Sequence, residues 1–292
     1  EMTSSLVGSE MCIRDRDYLY HYTSIETLAL ILSNKTLCFN NLLNVDDIEE
    51  AETSDMGKFG RFVYASCWTN DERESIPLWN LYTPDMHGVR IKLPVFPFKR
   101  YSYKKGEYFL ENDVETYINI EKLYKENKVS IVANQPQLVE IEYTADPEKL
   151  YPKVRTLSSE SQFQHYLSSE ESNNVNFNVS YSFKDVGKYK RKEWSFQKEW
   201  RYIYSVSPMG EKELNPPTLE KHRELIRRIE DREYKPPYTR MFLELDDNSL
   251  KNIEVLCGPR MNDAEKVVVK ALLEKYCPSG IYKESTLKIN RK

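Results

Sequence analysis

"LYHYTSIETLALILSNKTLCF" (residues 19–39) places a histidine between two tyrosines, then Thr-Ser, then an amphipathic run. Residues 18–22, YLYHY, have the aromatic composition of a short strand. Thr23-Ser24-Ile25-Glu26 has the capping-box form, in which Thr23 accepts from the Glu26 amide while Glu26 reaches back. Ile25, Leu28, Ala29 and Leu32 then recur at helical spacing, Asn34 is the expected end, and "TLCFN" (36–40) is a second strand. This strand–helix–strand unit puts His21 at a strand end beside a helix start. There an imidazole can donate to a ribose hydroxyl, and the free helix amides favour a nearby anion. The alternative is a ring that braces the turn.

A second stretch, "EWSFQKEWRYIY" (193–204), opens a strand with a carboxylate. Glu199 sits between Trp194 and Trp200, where a charge is costly unless it faces a cleft or a cation. Side chains two apart on a strand share a face, so a simple Glu199–Arg201 pair is the competing explanation. The segment "SIPLWNLYT" (75–83) is a short helix with Pro77 in its first turn, where the missing amide does no harm. Trp79 and Tyr82, three apart, share a face and can stack on a planar ring or pack into a core.

Working outward, "RFVYASCWT" (61–69), "GVRIKL" (88–93), "TRMFLEL" (239–245), "IEVLCGP" (253–259) and "GIYKESTLKI" (280–289) are further strands. Asn262 caps an amphipathic helix over 263–276, and 218–234 is a very polar helix with the character of a surface insertion. Residues 100–190 alternate tyrosine-rich strands with polar helices, and 168–180 is an exposed loop. Short strands without regular βαβ alternation predict an α+β fold: one domain, with mixed and antiparallel strands around a cleft and helices flanking them. Neither an internal repeat nor a glycine-rich phosphate loop is present, and the chain has only 9 glycines.

Composition narrows the function classes. A net charge of −4 gives no global basic footprint for tight non-specific nucleic-acid binding. No apolar run approaches the roughly 20 residues of a membrane helix, and no signal-peptide pattern precedes the first strand. Five scattered cysteines without a CxxC pair argue against a zinc site and fit reduced thiols, so a cytoplasmic location is expected. The acidic cluster Asp46, Asp47, Glu49 and Glu50 lacks the spacing and glycine of a calcium loop. His87, His165 and His222 form no ligand pattern, and no G-x-S-x-G elbow occurs. "SSLVGSEMCIRDR" (4–16) has the look of translated sequencing-adapter read-through in metagenomic gene predictions, so residues 1–16 are expected to be a non-native leader, with the domain over 17–292.

Six stretches together resemble a bacterial family catalogued only as a domain of unknown function. They are "YHYTSIETLALILSNKTLCF", "ASCWT", "PLWNLYTPDMHGVRIKL", "FQKEWRYIY", "VLCGPRM" and "IYKESTLKI". The resemblance covers residues 18–93, 194–206 and 239–289, leaving insertions at about 100–190 and 207–237. A more distant likeness carries function. "LYHYTSIETLALILSNKTL" is similar to the opening of the ADP-ribosyltransferase fold in its His-Tyr-Glu branch, including DNA-modifying toxins.

That resemblance implies NAD as substrate. It gives His21 the ribose hydroxyl and Glu199 the nicotinamide ribose, with Gln197-Lys198-Glu199 matching the Q-x-E form of the glutamate motif. Tyr82, with Tyr64 as rival, would stack on nicotinamide, although in the family that aromatic usually belongs to a strand. Tyr22, Thr23, Ser24 and Trp79 are expected as further cofactor contacts, and Arg201 and Arg90 as partners for pyrophosphate.

The expected activity is ADP-ribosyl transfer to a macromolecule, protein or nucleic acid, or NAD cleavage. The setting would be a bacterial toxin or phage-defence system, with an antitoxin or defence partner and no membrane. Two other readings stay open: a non-catalytic nucleotide- or nucleic-acid-binding module, and a metal-dependent nuclease using Asp46, Asp47 and Glu199.

Overall fold

One ten-stranded sheet organises the chain. The computed structural model describes residues 18–168 and 176–289; the leader 1–16, with Cys12, and most of the 168–180 loop lie outside them. The strands of the sheet are β1 (Tyr18–Thr23), β2 (Thr36–Asn41), β3 (Val63–Thr69), β4 (Val89–Pro94), β5 (Ser130–Ile131), β6 (Gln137–Glu140), β7 (Glu199–Ser207), β8 (Arg240–Glu244), β9 (Glu254–Cys257) and β10 (Ile281–Glu284). The α+β expectation holds: the neighbours are mostly antiparallel, and β9 with β10 is parallel.

The sheet forks at β3. One edge of β3 pairs with β7 along its whole length, from Glu199↔Thr69 to Ser205↔Val63. Its other edge is shared. β2 takes the lower part at Asn40↔Ala65 and Asn41↔Tyr64, and β1 takes the top through Tyr20↔Thr69. Beyond these contacts one branch runs β2–β8 and the other β1–β4–β9–β10. A fork leaves backbone groups of β3 that no neighbouring strand can satisfy, and side chains must take them.

Both faces of β3 and β7 are covered, which explains why β7 is buried at every position from Glu199 to Val206. On one face Tyr64, Trp68, Trp200, Tyr202, Tyr204 and Val206 join the main core. Leu28, Ile31 and Leu32 of α1 (Ile25–Asn34) and Val269 and Leu273 of the C-terminal helix (Asp263–Tyr276) complete it. On the other face Val63, Ala65 and Ile203 pack with Leu42, Ala51, Met56, Phe59 and Phe62.

The helix signals hold, with one shift. Ser24, not Thr23, caps α1, and its hydroxyl accepts from the Thr27 amide. Thr23 is still a strand residue, paired with Val89. Lys35 ends the helix in the left-handed region at φ 52°. Asn262 and Glu265 form the reciprocal capping box at the last helix. α2 (Ile76–Tyr82) starts from Ser75 with Pro77 in its first turn.

The polar helix Leu219–Glu230 is not purely surface. Ile226 packs with Phe163 and Tyr166 of the helix Glu160–Ser168, and Arg61 donates to the carbonyls of Ile229 and Asp231 at its end. Among the described residues no helix is long and apolar enough to cross a membrane.

Candidate functional site

The fork makes a cavity. Tyr20, His21 and Tyr22 from β1, Cys67, Trp68 and Thr69 from β3, Leu78 and Tyr82 from α2, and Gln197 and Glu199 from the β7 entry surround a space of about 50 Å³. A crevice of about 370 Å³ adjoins it and shares Thr69, Leu78 and Gln197 as walls. The larger space lies in the range of small-molecule sites, and the inner cavity admits only a small group or a few waters.

His21 sits where the ladder stops. Continuing the Tyr20↔Thr69 register would set Tyr22 opposite Cys67, but no such pair forms. The Cys67 carbonyl is bound instead by His21 Nδ1, at 2.7 Å. A carbonyl only accepts, so Nδ1 carries the proton. Enclosure of the ring lowers its pKa against a smaller opposing effect of that hydrogen bond, which leaves the imidazole neutral near pH 7. Nε2 is then an acceptor. A ribose hydroxyl would donate to His21, the reverse of the direction expected from the sequence. Trp68 supports the ring at 5.1 Å between centroids.

Glu199 is built differently. It is 3% exposed and belongs to a closed cluster of two acids and two bases. Lys190 Nζ lies 2.7 Å from Glu199 Oε2, 2.8 Å from Gln197 Oε1 and 3.2 Å from Glu50 Oε1. Arg201 donates Nε to Glu199 and Nη1 to Glu50 and to the Gly187 carbonyl. Burial raises the Glu199 pKa, but Arg201 and Lys190 more than reverse this and hold the carboxyl at about 2. It is ionised at any working pH. The Cys67 thiol also bonds it, and burial pushes that thiol's pKa far up, so Cys67 is an un-ionised wall.

Tyr82 bridges the two sides. Its hydroxyl accepts from Gln197 Nε2 at 2.6 Å and also bonds Asp46. Burial first, then the Glu199 charge, raises its pKa, so the phenol stays protonated. Gln197 has a defined amide orientation as a result, with Oε1 accepting from Lys190 and Nε2 donating to Tyr82.

His21, Tyr22, Tyr82, Gln197 and Glu199 therefore meet at one cavity, and the other sequence candidates stand apart. Tyr64 is enclosed in the core, stacked on Tyr204, with its hydroxyl on the Tyr238 carbonyl. Trp79 is fully buried behind Tyr22 and donates to Glu74. Ser24 is a helix cap. Arg90 lies over the Tyr20 ring and donates to the Glu72 carbonyl. Arg201 is 0% exposed and bound to two carboxylates, so it is not presented to a ligand's pyrophosphate. The Glu199–Arg201 pair weighed from sequence is real, and it is half of a larger cluster.

Lys190 and Cys67 were missed. Cys67 alternates with Thr69 on a strand already assigned, so that signal was available. Lys190 lies in "KYKRK" (188–192), at the end of the expected insertion, and nothing local distinguishes it from the basic residues beside it. Asp46, Asp47 and Glu199 are not gathered as ligands. Asp47 caps a short 3₁₀ turn, Glu50 of that turn is paired, and among the described residues no three His, Cys, Asp or Glu side chains form a metal-binding group.

The chain is thus an α+β protein with a forked sheet and a cleft at the fork. Compared with protein-family models, with curated proteins and with solved structures, it has no match.

Proposed function

We propose that the cleft binds NAD and that the protein cleaves the nicotinamide–ribose bond, passing ADP-ribose to a macromolecular acceptor or to water. One observation carries this reading: His21, Tyr82 and Glu199, from three separate parts of the sequence, line a single cavity. In the reaction the C1′–N bond breaks with its electron pair going to nicotinamide. C1′ then bonds to the acceptor's nucleophile, which loses its proton. Positive charge builds on the anomeric carbon, and an ionised carboxylate fixed at the cavity wall stabilises it as it develops. With the inner cavity widened around the ribose from its present size, His21 Nε2 accepts from a ribose hydroxyl and the Tyr82 ring offers a face to the departing base. Both act by orientation. A bacterial toxin or phage-defence setting, with a protein or nucleic-acid acceptor, belongs to the same proposal.

A second reading, a nucleotide-binding module without turnover, is favoured by the pairing of Glu199 with two cations. Charge already balanced by Lys190 and Arg201 does less for a developing cation than a lone carboxylate would.

The test separates them. The full chain is incubated with NAD labelled in its adenylate half and a cell lysate, and free nicotinamide and labelled macromolecule are measured. Release by the native protein is expected, with loss in Glu199→Gln. That variant breaks a buried ion cluster, so Glu199→Gln/Lys190→Met, which keeps the cluster neutral, is measured beside it. Activity absent from a folded double variant assigns the carboxylate a chemical role. NAD binding by calorimetry without nicotinamide release favours the module, and neither binding nor release ends the dinucleotide reading.

A further inference from the structure

Lining the crevice beside the cavity are two exposed cations that share one carboxylate. Asp71 Oδ2 takes Lys198 Nζ at 2.6 Å, and Oδ1 takes Arg73 Nε at 3.3 Å and the Arg73 amide at 3.1 Å. The Arg73 and Lys198 side chains are 83% and 51% exposed, while Asp71 is only 22% exposed. The backbones of Asp71 and Lys198 are tied to the cavity rim through Thr69. Its hydroxyl donates to the Lys198 carbonyl at 3.0 Å and accepts from the Asp71 amide at 3.3 Å. Lys198, directly between Gln197 and Glu199, ends the 3₁₀ helix Lys192–Gln197 in the left-handed region at φ 43°. Ile76, Pro77 and Phe196 supply an apolar wall to the same crevice.

We infer that the crevice takes the phosphate groups of its ligand on Arg73 and Lys198, and that Asp71 is a built-in competitor which the ligand must displace. The identity of the ligand as a dinucleotide rests on the function proposed above, whereas the anion site rests on the crevice geometry. A planar guanidinium and a mobile ammonium a short distance apart suit a phosphate or pyrophosphate. Arg201 and Arg90, the cations first expected in this role, are bound inside the fold. Lys198 and Arg73 hold the Asp71 carboxyl low, at about 2, so the competitor is charged throughout the physiological range. Its effect is to raise the ligand concentration at which the cleft fills. An apolar wall beside the cations suits the ring of a nucleotide better than free phosphate.

The experiment is calorimetric titration of the full chain with ADP as the probe and adenosine as its uncharged control, at low and physiological salt. Asp71→Asn is expected to tighten ADP about fivefold, and Arg73→Gln/Lys198→Gln to weaken it about tenfold, magnitudes appropriate to partly exposed ion pairs. Added salt should shrink both effects, and adenosine should bind all three proteins alike. Unchanged or weaker ADP binding in Asp71→Asn overturns the competitor, and absence of ADP binding from native and Asp71→Asn proteins overturns the site. Native protein that fails to consume NAD, with the ADP pattern intact, refutes the transfer chemistry and leaves the anion site standing. Arg73 and Lys198 are exposed and Asp71→Asn is isosteric, and thermal melts near the native value confirm that affinity alone has changed.

Discussion

The two walls of the cleft solve the same problem by opposite means. On the β1 wall, His21 is neutral and held by one hydrogen bond to a carbonyl that the forked sheet leaves without a strand partner. On the β7 wall, Glu199 is ionised and held by two cations from different segments, one of them brought in by the insertion. A neutral group at a fork costs little to enclose. A buried charge needs a complete set of counter-charges, so that wall is the more rigid and the more fragile. The lesson concerns how each residue should be tested: His21 can be altered with limited damage to the fold, whereas Glu199 cannot be altered alone.

The largest expected effect breaks the β7 wall. Arg201→Met leaves Glu50 and Glu199 buried without their main partner and should destabilise by about 3–5 kcal/mol, the range for breaking one side of a buried pair. Chemical denaturation measures it, and a loss below about 1 kcal/mol would mean that water reaches the cluster. Replacing Glu199 and Lys190 together by Gln and Met should recover much of what Glu199→Gln alone loses. A double variant no more stable than that single variant would show that the two charges are not coupled.

Acid sharpens the comparison, because both walls weaken as pH falls, in different windows. For His21 the folded pKa lies below its ordinary 6.5, so the unfolded chain binds the proton more readily. Its contribution is complete above 6.5 and is lost as pH falls from there toward the folded value. The Glu199 pKa of about 2 lies below the ordinary 4.5, so its contribution is complete above 4.5 and is lost as pH falls toward 2. His21→Phe should remove the upper phase of the stability–pH curve and leave the acid phase in place. A curve that His21→Phe does not alter above pH 4.5 would show that the ring is not enclosed.

Single hydrogen bonds give the smallest effects. Tyr82→Phe removes the acceptor of the Gln197 amide and should cost about 1 kcal/mol, with Gln197 losing its fixed orientation. His21→Ala leaves the Cys67 carbonyl without its partner and should cost about 1–3 kcal/mol, unless water enters and restores the bond. If His21→Ala proves more damaging than Arg201→Met, the contrast between the walls is wrong.

Much of this organisation was legible along the chain. Periodicity located β1, α1, β2, β3, α2, β7 and the C-terminal helix within a residue or two, because each of those segments carries its own cap or alternation. The site was legible where chemistry is unusual for its place. A histidine among tyrosines, a carboxylate opening an aromatic strand and a W-x-x-Y helix each stand out against local expectation. Gln197 was expected only from the Q-x-E form that the resemblance implies. Arg201 and Tyr64 misled because a sequence position states which face a side chain shares but not whether that face meets solvent. Strand β7 is covered on both sides, so the alternation that normally separates core from surface carries no such information there.

The sequence by itself determined the main elements, their order, the capping of the C-terminal helix and the residue types at the strand ends, because these depend on interactions within a few residues. Only the tertiary structure decided that β3 shares one edge between two strands, that the freed Cys67 carbonyl is answered by His21, and that Lys190 closes a charge cluster with Glu50, Glu199 and Arg201. The His21–Cys67 and Arg201–Glu50 contacts join residues 46 and 151 positions apart, and the shorter-range pairs of the cluster are buried only by the sheet that such contacts assemble. Whether a buried charge is satisfied is a property of everything that surrounds it, and that exists only once the chain has folded.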